Sequence, residues 1–182
     1  MKKIILIVSL LIFTLSCIKT TEKKNEISDF PYLESDINYI QKGYKEGIFS
    51  IEDVTRAHMK RIKEIDDNGP KIQAIITVNP EAIQIARELD KELKEGKSRG
   101  ELHGIPIVLK DNIDTFDQME TTAGSRALIN SRPLKDSYVA EKLREAGAVI
   151  LGKANLSEWA NFRGQKSSSG WSGVNGQTKN PY

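Results

Sequence analysis

The stretch Gly104-Ile105-Pro106-Ile107-Val108-Leu109-Lys110-Asp111-Asn112 decides how this chain is read. Its apolar run has strand character and delivers Lys110 to the carboxyl end, where Asp111, Asn112 and Asp114 turn the sequence polar. Open α/β sheets place ligands and chemistry at the carboxyl ends of their strands. Apolar neighbours would desolvate a lysine held there and disfavour its charged form. The neutral amine that results is a usable general base near neutral pH. The competing reading is a solvated lysine paired with Asp111 or Asp114, the ordinary situation of a surface lysine.

Upstream, Leu102-His103-Gly104 leads into this strand, and no acid in the sequence is placed to orient His103 as a base. Ile72 to Val78 is rich in β-branched residues and reads as a second strand. Asn79-Pro80-Glu81 then supplies an N-cap, a first-turn proline and a favourable acid. The helix that follows buries Ala82, Ile83, Ala86, Leu89 and Leu93, and Gly96 closes it. Before these elements, Ser50 opens a helix with Glu52 and Asp53 in its first turn. Its stripe is Val54, Ala57, Ile62 and Ile65, and Asp66-Asp67-Asn68-Gly69-Pro70 ends it. His58 lies within that helix and reads as structural. Ser35 or Asp36 caps a first helix carrying Ile37, Ile40 and Tyr44, which stops at Gly47.

Downstream, Thr121-Thr122-Ala123-Gly124-Ser125 is a small-residue loop that admits close approach of backbone or substrate. Asp136 or Ser137 caps a helix bearing Val139, Leu143 and Ala146, with Gly147 after it. Ala148 to Leu151 is a short buried strand, and Gly152-Lys153-Ala154-Asn155 crosses to a short helix from Leu156 to Asn161. Strand and helix alternating in this order predict parallel pairing, right-handed crossovers and strands buried on both faces. The glycine- and serine-rich Gly164 to Gly176, including Ser167-Ser168-Ser169-Gly170, reads as a flexible loop and lacks nucleophile-elbow spacing. Asp111 and Asp114 point only weakly to a metal, since no histidine or further carboxylate cluster supports them.

The 182 residues suffice for one domain with a sizeable core. Two of the 27 basic residues, Lys2 and Lys3, lie in an N-terminal leader, leaving 25 against 25 acidic ones. A neutral body carries no electrostatic footprint for nucleic acid. Met1-Lys2-Lys3 followed by the apolar Ile4 to Leu15 and by Ser16 has the form of a secretory signal over residues 1–16. Cys17 is the only cysteine, which excludes an intrachain disulfide. Its position resembles the lipobox of bacterial lipoproteins, with Thr14 where leucine is usual. The resemblance implies lipidation of Cys17, a polar tether over 17–28 and an exported, membrane-anchored protein on the periplasmic or cell-surface side. An ordinary secretory signal and an uncleaved anchor are the alternatives.

Four segments in order resemble the amidase signature family. They are Leu102 to Asp114, Thr121 to Ser125, Ala148-Val149-Ile150-Leu151-Gly152-Lys153-Ala154-Asn155-Leu156-Ser157-Glu158-Trp159, and Gly176-Gln177-Thr178-Lys179-Asn180-Pro181-Tyr182. The resemblance, nearest to secreted peptide or general amidases, implies an α/β fold. It makes residues 29–182 the N-terminal, incomplete part of a mixed, largely parallel sheet flanked by helices. It implies hydrolysis of small-molecule or peptide amides by a Ser–cis-Ser–Lys triad with no metal and no cofactor. Lys110 matches the triad lysine. Trp159, Ala160, Asn161 and Phe162 match the family's acyl pocket, and Thr122 and Ser125 lie in a loop near the site.

The family's two serines follow the Asn-Pro-Tyr segment, and Tyr182 is the last residue here. Both serines and the oxyanion hole are therefore expected beyond this sequence. The chain alone is expected to be inactive and poorly stable, with a strand edge and an apolar helix face left open. Two other functions compete: a non-catalytic surface lipoprotein remnant, and a glutamyl-tRNA amidotransferase A-type subunit. The second shares the motifs but is cytosolic, and the leader argues against it.

Overall fold

The computed structural model describes residues 30–162, 164–166 and 168–182; the leader, Cys17 and its tether, and Ser167 lie outside the described residues. Helix α1, Ile37–Glu46, is capped by the Asp36 carboxylate, which accepts from the Tyr39 amide at 2.7 Å, and it closes on the left-handed Gly47. Helix α2, Ile51–Arg61, starts in a reciprocal capping box between Ser50 and Asp53. It continues into a π-helical turn, Ile62–Asp67, which carries the Asp66 carboxylate to the amides of Ala74 (2.7 Å) and Ile75 (3.1 Å). That pair of bonds starts strand β1, Ile75–Val78.

Helix α3 spans Ala82–Lys94, so it begins later than an Asn79 cap would start it. Asn79 is instead a buried clasp. Its side-chain oxygen accepts from the Glu81 amide, while its side-chain amide donates to the Ile150 carbonyl at 2.8 Å. Strand β2 is Pro106–Lys110, helix α4 is Tyr138–Glu145 capped by Ser137, and strand β3 is Val149–Ala154.

The sheet order is β1-β3-β2. Strands β2 and β3 are parallel, as the intervening helix α4 requires, but β1 runs antiparallel to β3. The expectation of parallel pairing fails there because β3 separates β1 from β2, and β1 enters the sheet in the opposite direction. Burial on both faces holds for β3 alone, which is buried from Val149 to Lys153. Among the described residues the flanking strands each have one partner, and Val108 and Lys110 of β2 are exposed. One apolar cluster joins α1, α2 and α3 to Ile105, Val149 and Leu151; a second holds Leu109, Met119, Ala140 and Ile150. Tyr138 and Val139 on α4, and Leu134 before it, remain exposed.

The pairing register skips one residue of β3: Ile107 faces Ile150, yet Val108 faces Gly152 and Leu109 faces Lys153. A bulge of this kind re-aims every side chain beyond it. Strict alternation from Ile150 would turn Lys153 away from the Leu109 face, and the extra residue turns it back. Gly152 also lies close against β1, where a Cβ would fall on the Thr77 carbonyl oxygen.

Glycines and serines near the C-terminus form structure where a flexible loop was expected. Trp171–Ser172 (β4) and Gly176–Gln177 (β5) pair as a small antiparallel ribbon. The Asn155 side-chain amide ties it to the body through Gln73 O, Gly176 O and Thr178 Oγ1.

His58 packs against Phe30 and Tyr32, and its Nδ1 lies 2.8 Å from the Val54 carbonyl. Burial lowers its pKa below the ordinary 6.5, with Arg61 adding in the same direction and the Val54 bond opposing. The unfolded chain therefore takes up this proton first. The contribution of His58 is fully present above pH 6.5 and is lost as the pH falls below it. Urea unfolding at pH of about 7.5 and 5.5 should show lower stability at the acid value. The difference should shrink in His58→Gln; an unchanged difference would assign the effect elsewhere.

Candidate active site

Strands β2 and β3 end side by side, where the Asp111 amide donates to the Ala154 carbonyl at 3.1 Å. The Asp111 side chain turns inward and is 1% exposed. Its Oδ2 accepts a short bond from the Thr122 hydroxyl and two longer ones from the amides of Thr122 (3.2 Å) and Gly124 (3.3 Å). Its backbone carbonyl accepts from the Ala123 amide at 2.9 Å. One aspartate thus holds the Thr121–Ser125 loop from both its side chain and its main chain.

Lys153 reaches the same place from β3 and is fully buried. Its Nζ donates to Thr121 Oγ1 at 2.9 Å and to the Glu120 carbonyl at 3.5 Å, and lies 3.9 Å from Asp111 Oδ1. Burial pushes its pKa below the ordinary lysine value, and the negative charges of Asp111, Asp117 and Asp114 offset only part of that. Asp117 in turn is paired with Arg144, which also meets Asp136 at 3.1 Å. Those pairs fix the connection between β2 and α4.

Lys110, expected to sit dry among apolar neighbours, is exposed. Side chains alternate along β2, so Leu109 and Asp111 are buried while Val108 and Lys110, on the opposite face, are exposed. The alternative pairing with Asp111 or Asp114 is also not made: among the described residues Lys110 has no ion pair, and Asp111 is taken by Lys153. The desolvated lysine of this strand end is Lys153. From sequence Lys153 falls in the segment crossing to the next helix, although its place directly after Ala148-Val149-Ile150-Leu151-Gly152 is a visible sign of burial.

The short helix expected from Leu156 is a turn over Glu158–Asn161 in which Trp159, Ala160 and Asn161 are all left-handed, with φ of 51°, 52° and 65°. Side chains in that region cost roughly 1–2 kcal/mol per residue, so the turn stands only because its surroundings hold it. The Trp159 amide donates to Ala123 O at 2.9 Å, and the Glu158 carboxylate accepts from the Gly173 amide at 2.9 Å. Trp159, Ala160 and Phe162 face Asn112, Asp114, Thr121 and Ala123 across a cleft of about 380 Å³. Asn161 lines an adjoining open cavity of about 860 Å³ that shares Trp159. Trp159, Ala160, Asn161 and Phe162 each line one or both of these cavities. Thr122 and Ser125 are buried inside the loop, with the Thr122 hydroxyl committed to Asp111.

His103 is buried with both ring nitrogens occupied, Nε2 at 3.0 Å from Leu89 O and Nδ1 accepting from the Arg99 amide at 3.3 Å. It is a structural residue joining α3 to the turn before β2. Among the described residues no three His, Cys, Asp or Glu side chains converge as metal ligands.

Residues 53–182 match the Amidase family. The chain belongs to the amidase family. The solved peptide amidase of Stenotrophomonas maltophilia is 50% identical, with a TM-score of 0.81 over 84% of this chain and 31% of that one. A protein of Arthroderma benhamiae that bears the name of an amidase is 46% identical over 143 residues, 79% of this chain and 24% of its own length. The A-type subunit of the glutamyl-tRNA(Gln) amidotransferase of Thermoanaerobacter pseudethanolicus is 41% identical over 125 residues, 68% of this chain and 25% of that protein. The chain thus spans about a quarter of the curated relatives it matches and under a third of the solved peptide amidase.

Lys110 and Lys153 differ sharply in access, and labelling should report it. Brief treatment of the folded chain with an amine-reactive ester should modify Lys110 and spare Lys153, with peptide mass mapping as the readout. Equal labelling before unfolding would mean that the strand end is open on both faces.

Proposed function

We propose that the intact protein hydrolyses the C–N bond of carboxamides, in small molecules or at peptide ends. In this reading the Lys110 amine takes a proton from a bridging serine, which activates a second, nucleophilic serine. The likeness to a peptide amidase, 50% identical along 84% of this chain, carries the proposal. The exposed position of Lys110 at the carboxyl end of β2 supports a catalytic centre completed by further chain. Burial by that chain would supply the desolvation that a lysine base needs. Trp159, Ala160, Asn161 and Phe162 then form one wall of the substrate site, with the Thr122–Ser125 loop behind it. The reading assigns no turnover to residues 1–182 alone.

Similarity to the A-type subunits of glutamyl-tRNA(Gln) amidotransferases favours a second reading, amide transfer on misacylated tRNA. The basic and apolar leader and the neutral body speak for the amidase. The same leader supports export and anchoring by a lipid on Cys17. Metabolic labelling with a fatty-acid analogue should mark the protein and fail to mark Cys17→Ser; label persisting in that variant would remove the anchor from the proposal.

Replacing the matched segment of the Stenotrophomonas maltophilia peptide amidase by residues 30–182 tests the chemistry. The chimaera should release ammonia from a peptide C-terminal amide, and Lys110→Ala should lower kcat/KM by roughly 10²–10⁴-fold. The 182-residue chain should release nothing above its own Lys110→Ala control. Undiminished turnover by the Lys110→Ala chimaera would overturn the assignment of the base.

A further inference from the structure

Sequence spacing alone would aim Lys153 at the helical side of the sheet. The one-residue bulge opposite Ile107 and Val108 carries it instead to Asp111. The result is two opposite charges, both essentially without solvent contact, at the junction of β2, β3 and the Thr121–Ser125 loop. Nothing in the expected chemistry uses either group. A buried pair of this kind is a costly way to gain stability and a good way to specify one arrangement.

The contacts define what that arrangement is. Asp111 holds the amides of Thr122 and Gly124 and the hydroxyl of Thr122, and Lys153 holds Thr121 and the Glu120 carbonyl. The loop passes the constraint on in two directions, since Ala123 O accepts from the Trp159 amide and Gly124 O from the Val174 amide at 3.1 Å. Asp111 also directly follows Lys110 in the chain. Asp111 Oδ1 has no hydrogen-bond partner, so the Lys153 ammonium at 3.9 Å is what meets its charge.

We propose that Lys153 and Asp111 are a positioning pair that locks the Thr121–Ser125 loop, and through it the left-handed turn at Trp159, against the strand end that carries Lys110. The loop lock stands on contacts within this chain; its service to amide hydrolysis rests on the reading above. Neither residue touches substrate in this assignment. Each acts through the loop.

Hydrogen exchange of the 182-residue chain tests the lock without any need for turnover. Lys153→Met leaves Asp111 buried without its counter-charge. It should raise exchange of the Thr122, Ala123, Gly124 and Trp159 amides about tenfold or more, with the α2 and α3 amides unchanged. Adding Asp111→Asn removes the stranded charge while keeping an acceptor for the loop. The double variant should return those amides to within about threefold of the parent. A Lys153→Met chain that fails to fold but is recovered by Asp111→Asn supports the pair equally. Uniform acceleration across helices and loop, or no recovery in the double variant, would overturn it. In the chimaera, Lys153→Met should lower kcat/KM and the double variant should restore most of it. If the exchange pattern appears while every chimaera is inactive, the amidase reading fails and the lock stands.

Discussion

Asp111 and Lys153 face each other at 3.9 Å where water does not reach either side chain. Removing a carboxylate and an ammonium from water is expensive, and each is tolerated only while the other, and enough hydrogen bonds, remain. The carboxylate collects three donors from one loop, and the ammonium collects two acceptors from the same stretch of chain. The path between Glu120 and Ser125 is therefore dictated by two side chains that come from different strands. Much else at this end of the molecule hangs from that path, including the main-chain bonds to Trp159 and Val174.

Apolar packing sets the frame within which the pair meets. Helices α1, α2 and α3 cover Val149 and Leu151 on one side of β3, while Met119 and Ala140 cover Ile150 on the other. Polar clasps then join these layers. Asn79 links the start of α3 to β3, His103 links α3 to the turn before β2, and the Asp90 carboxylate accepts from the Ile51 and Glu52 amides to join α3 to α2. Each clasp satisfies backbone groups that burial would otherwise leave without partners. The sheet can thus present its strand ends in a fixed relation to the loops after them.

The contrast between the two lysines follows from the same geometry. Lys110 and Lys153 end neighbouring parallel strands, yet one is exposed and the other fully buried. Alternation along β2 sends Lys110 to the face opposite Leu109, and the bulge in β3 sends Lys153 to the Leu109 face, beneath Glu120 and Thr121. Beside them, Trp159, Ala160 and Asn161 hold three successive left-handed conformations, a strain supported from outside the turn by Ala123 and Gly173. Strain held by a surrounding scaffold is characteristic of sites that must present side chains in one way.

Most helices were legible in the residues themselves, because caps and stripes are local. Asp36, Ser50 and Ser137 cap as their chemistry suggests, and Gly47 ends α1 in the left-handed region. The strand leading to Lys110 and the amidase motifs were legible for the same reason. What sequence by itself could not determine was every feature that depends on which strand lies beside which. The antiparallel entry of β1, the exposure of β2 and the ribbon of Trp171 to Gln177 are settled by partners distant in the chain. So is the burial of Lys153. A single skipped residue reverses the face a side chain occupies, and register is a property of two strands together, invisible in either one alone.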